Sequence, residues 1–241
     1  MSNRLLREFC AENFTSVPAA IAAGAARIEL CDNLAVGGTG PTVGVIQAAV
    51  AYVHEHGARV MTMIRPRGGD FVYTDDELRM MSTDLEQACR CGTDGVVFGC
   101  LKEREDGQGY TVDTAAVSYL MNTVRWMRDR RSWSFAGDGS PARSNIDVTF
   151  HMAFDELDHD EQLHAIDFLA QEGVARILTH GGPKSATIKE NLDHLRELIA
   201  YADGRIIILP GAGISYENAL DVAHALGVDE VHGTRIVKIE Q

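Results

Sequence analysis

The sequence contains no apolar run that approaches the ~20 residues of a membrane-spanning helix, and its first ten residues lack the apolar core of a signal peptide. It is also poor in basic residues, with 22 Lys and Arg against 35 Asp and Glu and a formal net charge of −13. Nucleic-acid binding is driven by basic side chains that replace counterions on phosphate. We therefore expect a cytoplasmic protein that has neither a nucleic acid nor a membrane as its partner.

Cysteine is scarce as well, with five residues in 241. An odd number of cysteines in a long chain argues against a disulfide framework and favours reduced thiols. The sequence contains no CxxC pair, HExxH helix, P-loop or GxSxG turn, which excludes the commonest zinc, nucleotide and serine-hydrolase signatures.

Short β-rich runs alternate with amphipathic helical stretches along the whole chain. The eight runs cover residues 5–10, 26–31, 58–65, 94–101, 146–154, 175–180, 205–210 and 229–236. Strands that alternate with helices pair in parallel, so eight of them predict a single-domain (β/α)₈ TIM-type barrel over residues 1–241. The rival architecture is an open doubly wound sheet, but the first strand is not followed by a dinucleotide-type glycine-rich turn.

The two ends of several helices carry recognisable signals. Thr74 and Glu77 form a capping-box pattern, and Gly173 and Gly227 stand where a helix ends. Residues 131–145 are rich in Ser, Gly and Arg and predict a surface loop. The sequence stops at Gln241, so the last barrel helix is shortened or missing. The apolar barrel surface left uncovered predicts a homodimer or larger homo-oligomer.

The first two predicted strands, which are adjacent in a barrel, repeat a Glu-x-Cys unit at equivalent positions, so we expect the two units to lie side by side. Glu8 and Cys10 end the first strand, and Glu29 and Cys31 end the second. Residues two apart on a strand face the same way, so two carboxylates and two thiols should converge at the C-terminal rim of the barrel. A carboxylate inside a barrel is costly unless it is paired, which implies a cationic partner or a bound ligand.

The third strand supplies two cations to the same rim. Arg65 and Arg67 flank a proline and precede two glycines. One interpretation is structural, with Arg65 paired to Glu29. The other is a clamp for a carboxylate or phosphate, to which arginine offers two parallel donors.

Histidines and glycines complete the set of candidate residues. His151 and His232 stand at the rim in the fifth and eighth strands, where a histidine is a general base, a metal ligand or a buried core residue. Gly211 and Gly213 lie in a GAGI turn after the seventh strand, the position at which barrels bind phosphate. With Ser215 as the cap of the next helix, this turn would bind an anion.

Several segments together resemble the CutC family. They are GAARIELCDNLAVGG (24–38), RPRGGDF (65–71), DGVVFG (94–99) and TFHMAFD (149–155). The resemblance covers nearly the whole chain and implies a cytoplasmic, commonly oligomeric TIM-type barrel with a role in copper homeostasis. It also implies Cu(I) bound by cysteine thiolates.

Two functional hypotheses follow. The first is a copper homeostasis protein that binds Cu(I) through Cys10 and Cys31, since soft thiolates select Cu(I). The second is a TIM-barrel enzyme that acts on a small phosphate- or carboxylate-bearing metabolite. In that enzyme the acid and base groups would be Glu8, Glu29 and His151, and the substrate-binding groups Arg65, Arg67, Gly211, Gly213 and His232.

Overall fold

The computed structural model describes residues 5–132, 145–183 and 185–239, and strands and helices alternate through them. The strands, β1 to β10 in chain order, are Leu6–Glu12, Arg27–Cys31, Arg59–Met63, Gly95–Phe98, Leu101–Glu103, Tyr110–Val112, Asp147–Phe150, Arg176–Thr179, Ile207–Pro210 and Glu230–Gly233. The α-helices of this described part, α1 to α7, are Val17–Ala22, Val43–Glu55, Asp75–Arg90, Thr114–Ser132, His159–Glu172, Leu192–Ala202 and Ala219–Leu226.

Eight strands form one parallel sheet in the order β10-β1-β2-β3-β4-β7-β8-β9. Just beyond β9 and β10, a parallel bridge between Ser215 and Arg235 brings the two end strands together and nearly closes the sheet. The predicted TIM-type barrel is confirmed, and the open doubly wound sheet is rejected.

Helix boundaries follow the local signals of the sequence. Thr74 accepts a hydrogen bond from the Glu77 backbone N–H, and the Glu77 side chain accepts one from the Thr74 N–H, which completes the predicted capping box of α3. Helices α5 and α7 end at Gly173 and Gly227, both in the left-handed conformation that glycine adopts without steric cost.

Side chains alternate in direction along each barrel strand, so the buried side chains form two separate cores. Phe9, Ile28 and Val60 are in register across β1, β2 and β3 and belong to the main core between sheet and helices. The residues that follow each of them point to the opposite face, into the barrel. The interior cluster consists of Cys10, Cys31, Met61, Met63 and Val97.

Gly95 makes room for this interior cluster. A Cβ atom at Gly95 would lie 2.4 Å from Met61 Cε and 2.6 Å from the Asp147 carbonyl oxygen. Only glycine therefore lets Met61 fill the barrel interior at this level.

Seven of the eight predicted strands are shorter in the structure, and in two of them a different element begins at the rim. The run 94–101 ends as a barrel strand at Phe98, and Leu101–Glu103 instead pairs antiparallel with Tyr110–Val112. The run 146–154 ends at Phe150, because Met152–Glu156 forms a 3₁₀ turn. Both departures lie at the C-terminal rim, where loops leave the barrel.

Residues 234–239, which follow β10, do not form a helix. Ile236 and Val237 of this tail are nevertheless buried. The tail itself therefore covers part of the apolar surface that an eighth helix would cover.

The predicted loop over 131–145 lies outside the described residues from 133 to 144. Among the helices of the described ranges, none combines the length and the apolar character needed to cross a lipid bilayer.

Candidate functional site

A cavity of about 350 Å³ opens at the C-terminal end of the barrel. Six predicted site residues line it together with Met63, and they are Cys10, Glu29, Arg65, His151, Gly213 and His232. In a TIM-type barrel this is the end at which ligands bind. The predicted convergence of these side chains at one rim is therefore observed.

The two Glu-x-Cys units lie close together, but they are not level with each other on the two strands. The strand register aligns Glu8 with Arg27 and Cys10 with Glu29, so β2 is displaced by two residues relative to the expected side-by-side alignment. The expectation that the two glutamates lie at equivalent positions is wrong. Glu29 instead lies beside Cys10, and the Sγ atoms of both cysteines and a Glu29 carboxylate oxygen all lie within 4.8 Å of one another.

His232 connects the two buried glutamates. Its Nδ1 lies 2.8 Å from Glu8 Oε1, and its Nε2 lies 3.7 Å from Glu29 Oε2. Glu29 Oε2 also accepts a long hydrogen bond of 3.6 Å from the Cys31 thiol. Within the described residues, Glu29 Oε1 has no hydrogen-bond partner although it is fully buried.

The buried cation beside the glutamates is Arg27, which was not predicted as a site residue. The Arg27 guanidinium donates to Glu8 and to Glu230 Oε2, the latter at 2.7 Å. Arg27 stands two residues before Glu29 on the same strand, so strand alternation alone places it on the inner face. The even spacing between Arg27 and Glu29 was therefore the sequence signal that could have identified Arg27.

Arg65 does not form the predicted pair with Glu29. Its two terminal nitrogens donate to the backbone carbonyls of Gly38 at 2.9 Å and Gly69 at 2.7 Å, with a longer bond to Val36. These bonds close the loops around the mouth of the cavity. The Arg65 Nε is buried without a hydrogen-bond partner in the described part of the chain.

A second arginine extends the ionic layer beneath the cavity. Arg176 lies between Asp147, at 2.9 Å, and Glu230, at 3.3 Å. Arg27 also contacts Glu230, so the first residues of β2, β7, β8 and β10 form one charged floor at the N-terminal end of the barrel.

This arrangement fixes the charges in the barrel interior. Burial alone would raise the pKa of Glu8, but the charge of Arg27 and the hydrogen bond from His232 hold it well below its ordinary range. Burial would lower the pKa of His232, but Glu29, Cys10 and Glu8 raise it well above its ordinary value. A Glu8 carboxylate and a His232 imidazolium are thus the resident charges next to the thiols.

The contact between the two thiols shifts their pKa values in opposite directions. A hydrogen bond from Cys31 is the main cause that lowers the pKa of Cys10, and His232 lowers it further. The same hydrogen bond, together with burial, raises the pKa of Cys31. Burial also raises the pKa of Glu29. Deprotonation is therefore favoured at Cys10 over Cys31.

His151 borders the opposite side of the cavity. Its Nδ1 accepts a hydrogen bond from the Ala153 backbone N–H at 3.2 Å, so the ring proton lies on Nε2. Burial and the nearby Arg65 lower the pKa of His151 to about 3, which keeps the ring neutral. Phe71 packs against both side chains, and His151 Nε2 has no hydrogen-bond partner among the described residues.

Arg67 lies outside the cavity lining. It bonds to Asp70 at 3.0 Å and to Glu77 at 2.5 Å and is partly exposed. Of the two arginines that flank the proline, Arg65 thus binds backbone carbonyls at the mouth of the cavity, and Arg67 pairs with carboxylates outside it.

The GAGI turn differs from its predicted form. Gly211 N–H donates to the Thr179 carbonyl at 2.9 Å, and a Cβ atom on Gly211 would lie 2.5 Å from Leu178. Ser215 does not cap the next helix, because α7 begins at Ala219 and Asn218 Oδ1 accepts from the Ser215 N–H within a turn. Only the Ala212 to Ile214 part of the turn borders the cavity.

Comparison with known proteins identifies the family. A family model described as the CutC family matches residues 5–126 and 140–237. The chain belongs to the CutC family. The resemblance inferred from its sequence segments is confirmed.

CutC relatives match over nearly the full length of this chain. The family protein CutC of Enterococcus faecalis is 53% identical over 233 residues, 97% of this chain and 100% of its own length. The copper homeostasis protein cutC homolog of Homo sapiens is 37% identical over 96% of this chain and 73% of its own length. The crystal structure of CutC from Streptococcus agalactiae has a TM-score of 0.82 and 41% identity, and the match covers 97% of this chain and 100% of that chain.

The buried ion pair predicts a large stability effect in this CutC chain. Arg27→Met removes the guanidinium that Glu8 and Glu230 share, so that Glu8 keeps His232 and Glu230 keeps Arg176 as cationic neighbours. We expect a loss of roughly 3–5 kcal/mol of unfolding free energy at pH 7 in urea denaturation. Arg59→Met is the matched control, because Arg59 is in register with Arg27 on the next strand but is exposed.

The same experiment has a pH signature. The native environment lowers the pKa of Glu8, so its stabilising contribution is present above the ordinary glutamate range and is lost as the pH falls through the folded pKa. The difference between wild type and Arg27→Met should shrink on acidification. An equal loss in Arg59→Met, or a gap independent of pH, would contradict the assignment.

Proposed function

We propose that this protein handles copper and that it binds Cu(I) through Cys10 and Cys31. The observation that carries the proposal is the buried group of two sulfur atoms and one Glu29 oxygen within 4.8 Å of one another. Cu(I) prefers soft sulfur ligands, and the thioether side chains of Met61 and Met63 belong to the same interior cluster.

The donor set fits the ion in charge as well as in softness. A metal-binding cysteine must be deprotonated, and the contacts of Cys10 favour its thiolate. The cationic His232 lies next to the cluster and offsets the negative charge that two thiolates would bring. Glu29 contributes a buried oxygen acceptor that the protein leaves without a partner.

The cavity gives the ion a route to this cluster. Cys10 and Met63 line the cavity, whereas Cys31 lies behind it and is almost completely buried. An ion that enters from the C-terminal mouth would meet Met63 and Cys10 first and Cys31 last. This order suits a protein that takes up and releases an ion as cargo.

A second candidate function rests on the opposite side of the cavity. His151 Nε2 and Arg65 Nε are both buried donors without partners in the described residues, and a copper ion would use neither of them. An enzyme acting on a small anionic metabolite would place a carboxylate or phosphate there. Glu29 and His151 would then act as acid and base groups, with Glu8 acting on Glu29 through His232 and Gly213 at the turn beside the ligand.

The cellular setting and assembly belong to the same proposal. All five cysteines are free thiols, which supports a reducing compartment such as the cytoplasm. Several large apolar side chains are exposed, including Met80, Trp126 and Leu220. Such exposed side chains support a homo-oligomer in which a second subunit covers them.

The copper proposal predicts that Cys10→Ser together with Cys31→Ser weakens Cu(I) binding by roughly 100-fold or more, because a hydroxyl is a poor ligand for a soft ion. The measurement is an anaerobic Cu(I) titration against a competing chelator. Glu29→Gln should change the affinity by about tenfold or less, as expected for a group beside the ligands.

Cys91→Ser is the matched control, since Cys91 lies at the end of α3 away from the cavity. A thermal melt of each variant separates loss of the site from loss of the fold. Stoichiometric, tight Cu(I) binding by the double cysteine variant would end the assignment of copper to this site.

The enzyme alternative predicts that a small anion stabilises the wild-type protein. At about 100 times its Kd a bound ligand adds roughly 2.7 kcal/mol, or about 5–10 °C in Tm for a chain of this size. A thermal-shift screen of inorganic phosphate and short dicarboxylates would detect it. His151→Phe, which keeps a ring against Phe71 and removes the donor, should abolish the shift, whereas Cys10→Ser should leave it. A screen without any stabilising anion would remove this candidate.

The proposed assembly predicts a solution mass of at least twice the 26.3 kDa of the chain. Light scattering at micromolar concentration measures it. A result near the mass of one chain would show that the exposed apolar side chains are simply solvated.

A further inference from the structure

A second group of metal-binding side chains lies on the outer helices, remote from the barrel interior. His159 is the first residue of α5, and His194 and Glu197 lie three residues apart on α6. One ligand atom from each of the three lies within 4.8 Å of the others. The group spans two helices and faces solvent, so an ion there would keep open coordination positions.

A buried glutamine fixes the orientation of one of these histidines. The Gln162 side-chain nitrogen donates to the Phe154 carbonyl at 3.3 Å, so its Oε1 must point the other way as an acceptor. That oxygen lies 2.8 Å from His194 Nε2, and Gln162 is almost completely buried. His194 Nε2 therefore carries a proton and donates it to Gln162.

The other nitrogen of the same ring then faces a carboxylate. His194 Nδ1 lies 3.8 Å from Glu197 Oε2, and Glu197 Oε1 lies 3.3 Å from His159 Nε2. In the neutral ring the Nδ1 lone pair is aimed at an anionic oxygen, an arrangement that calls for a cation between them.

A histidine that donates its second ring nitrogen to an oxygen acceptor is also the usual support of a metal-binding imidazole, because it fixes the tautomer and the ring plane. Gln162 supplies that support here. The support is built in the protein interior, while the ligand atoms it orients are at the surface.

We propose that His159, His194 and Glu197 form a surface site for a first-row divalent ion of the Zn²⁺ class. Two imidazole nitrogens and one carboxylate oxygen form a ligand set that suits Zn²⁺ and its neighbours. These nitrogen and oxygen ligands are harder than the two thiols of the barrel interior. The ion would link the start of α5 to α6.

The test is Zn²⁺ binding measured by calorimetry on the full chain, with the ion located by an anomalous-difference map at the zinc edge. The titration is made in the Cys10→Ser, Cys31→Ser background, so that the interior thiols do not compete. We expect one Zn²⁺ per chain at His159, His194 and Glu197. His194→Ala and Glu197→Gln should weaken it by roughly tenfold or more.

Two further variants make the result specific. His164→Ala is the matched control, because His164 is exposed on α5 but is not part of the group, and it should bind like its parent. Gln162→Met removes the supporting acceptor, together with the donor to the Phe154 carbonyl, and should weaken binding by about 10–100-fold. Unchanged Zn²⁺ binding in His194→Ala and Glu197→Gln, or a zinc peak elsewhere, would overturn the proposal. If the double cysteine background fails to fold, the anomalous map of the wild-type protein decides the same question.

Discussion

The site depends on one buried cation, Arg27, at the floor of the barrel. Its guanidinium neutralises Glu8, and the Glu8 carboxylate in turn binds His232 Nδ1 and keeps that ring charged. His232 then lies between the two glutamates and beside Cys10. Because buried charges are tolerated only in pairs, each member of this chain requires the one beneath it. Arg27 therefore acts on the thiols only indirectly, through Glu8 and the His232 ring that lowers the pKa of Cys10.

The sequence was sufficient to predict the barrel and the meeting of the two Glu-x-Cys units, because strand parity decides which side chains face inward. The alternation of side chains does not determine how far one parallel strand is displaced along its neighbour. The displacement of two residues placed Glu29 beside Cys10 and brought Arg27 to Glu8, so the partner of the carboxylates was assigned to Arg65 instead. The Leu101–Glu103 hairpin was missed because three-residue strands carry too little alternation to be recognised.

The cavity has two chemically different sides. One holds the sulfur atoms and an unpartnered carboxylate oxygen of Glu29, and the other holds donors of His151 and Arg65 that are also unpartnered within the described residues. Buried polar atoms without partners are rare in folded proteins, since each one costs about 1–3 kcal/mol. An acceptor on one side and donors on the other are complementary to a ligand rather than to each other. The copper proposal accounts for the first side, and the anionic-metabolite proposal accounts for the second.

Under the copper proposal, charge balance at the interior cluster favours Cu(I) over a divalent ion. The pKa of Cys10 is lowered and that of Cys31 is raised, so Cys10 loses its proton more readily than Cys31. For a pair with one thiolate, entry of one Cu(I) with loss of the remaining thiol proton would leave the charge of the cluster unchanged and keep its balance with His232 and Glu8. A divalent ion would add a positive charge next to the His232 imidazolium in a medium of low polarity, where an uncompensated charge is costly. The exterior group of His159, His194 and Glu197 is open to water and has no such restriction, so the two groups are suited to ions of different charge and softness.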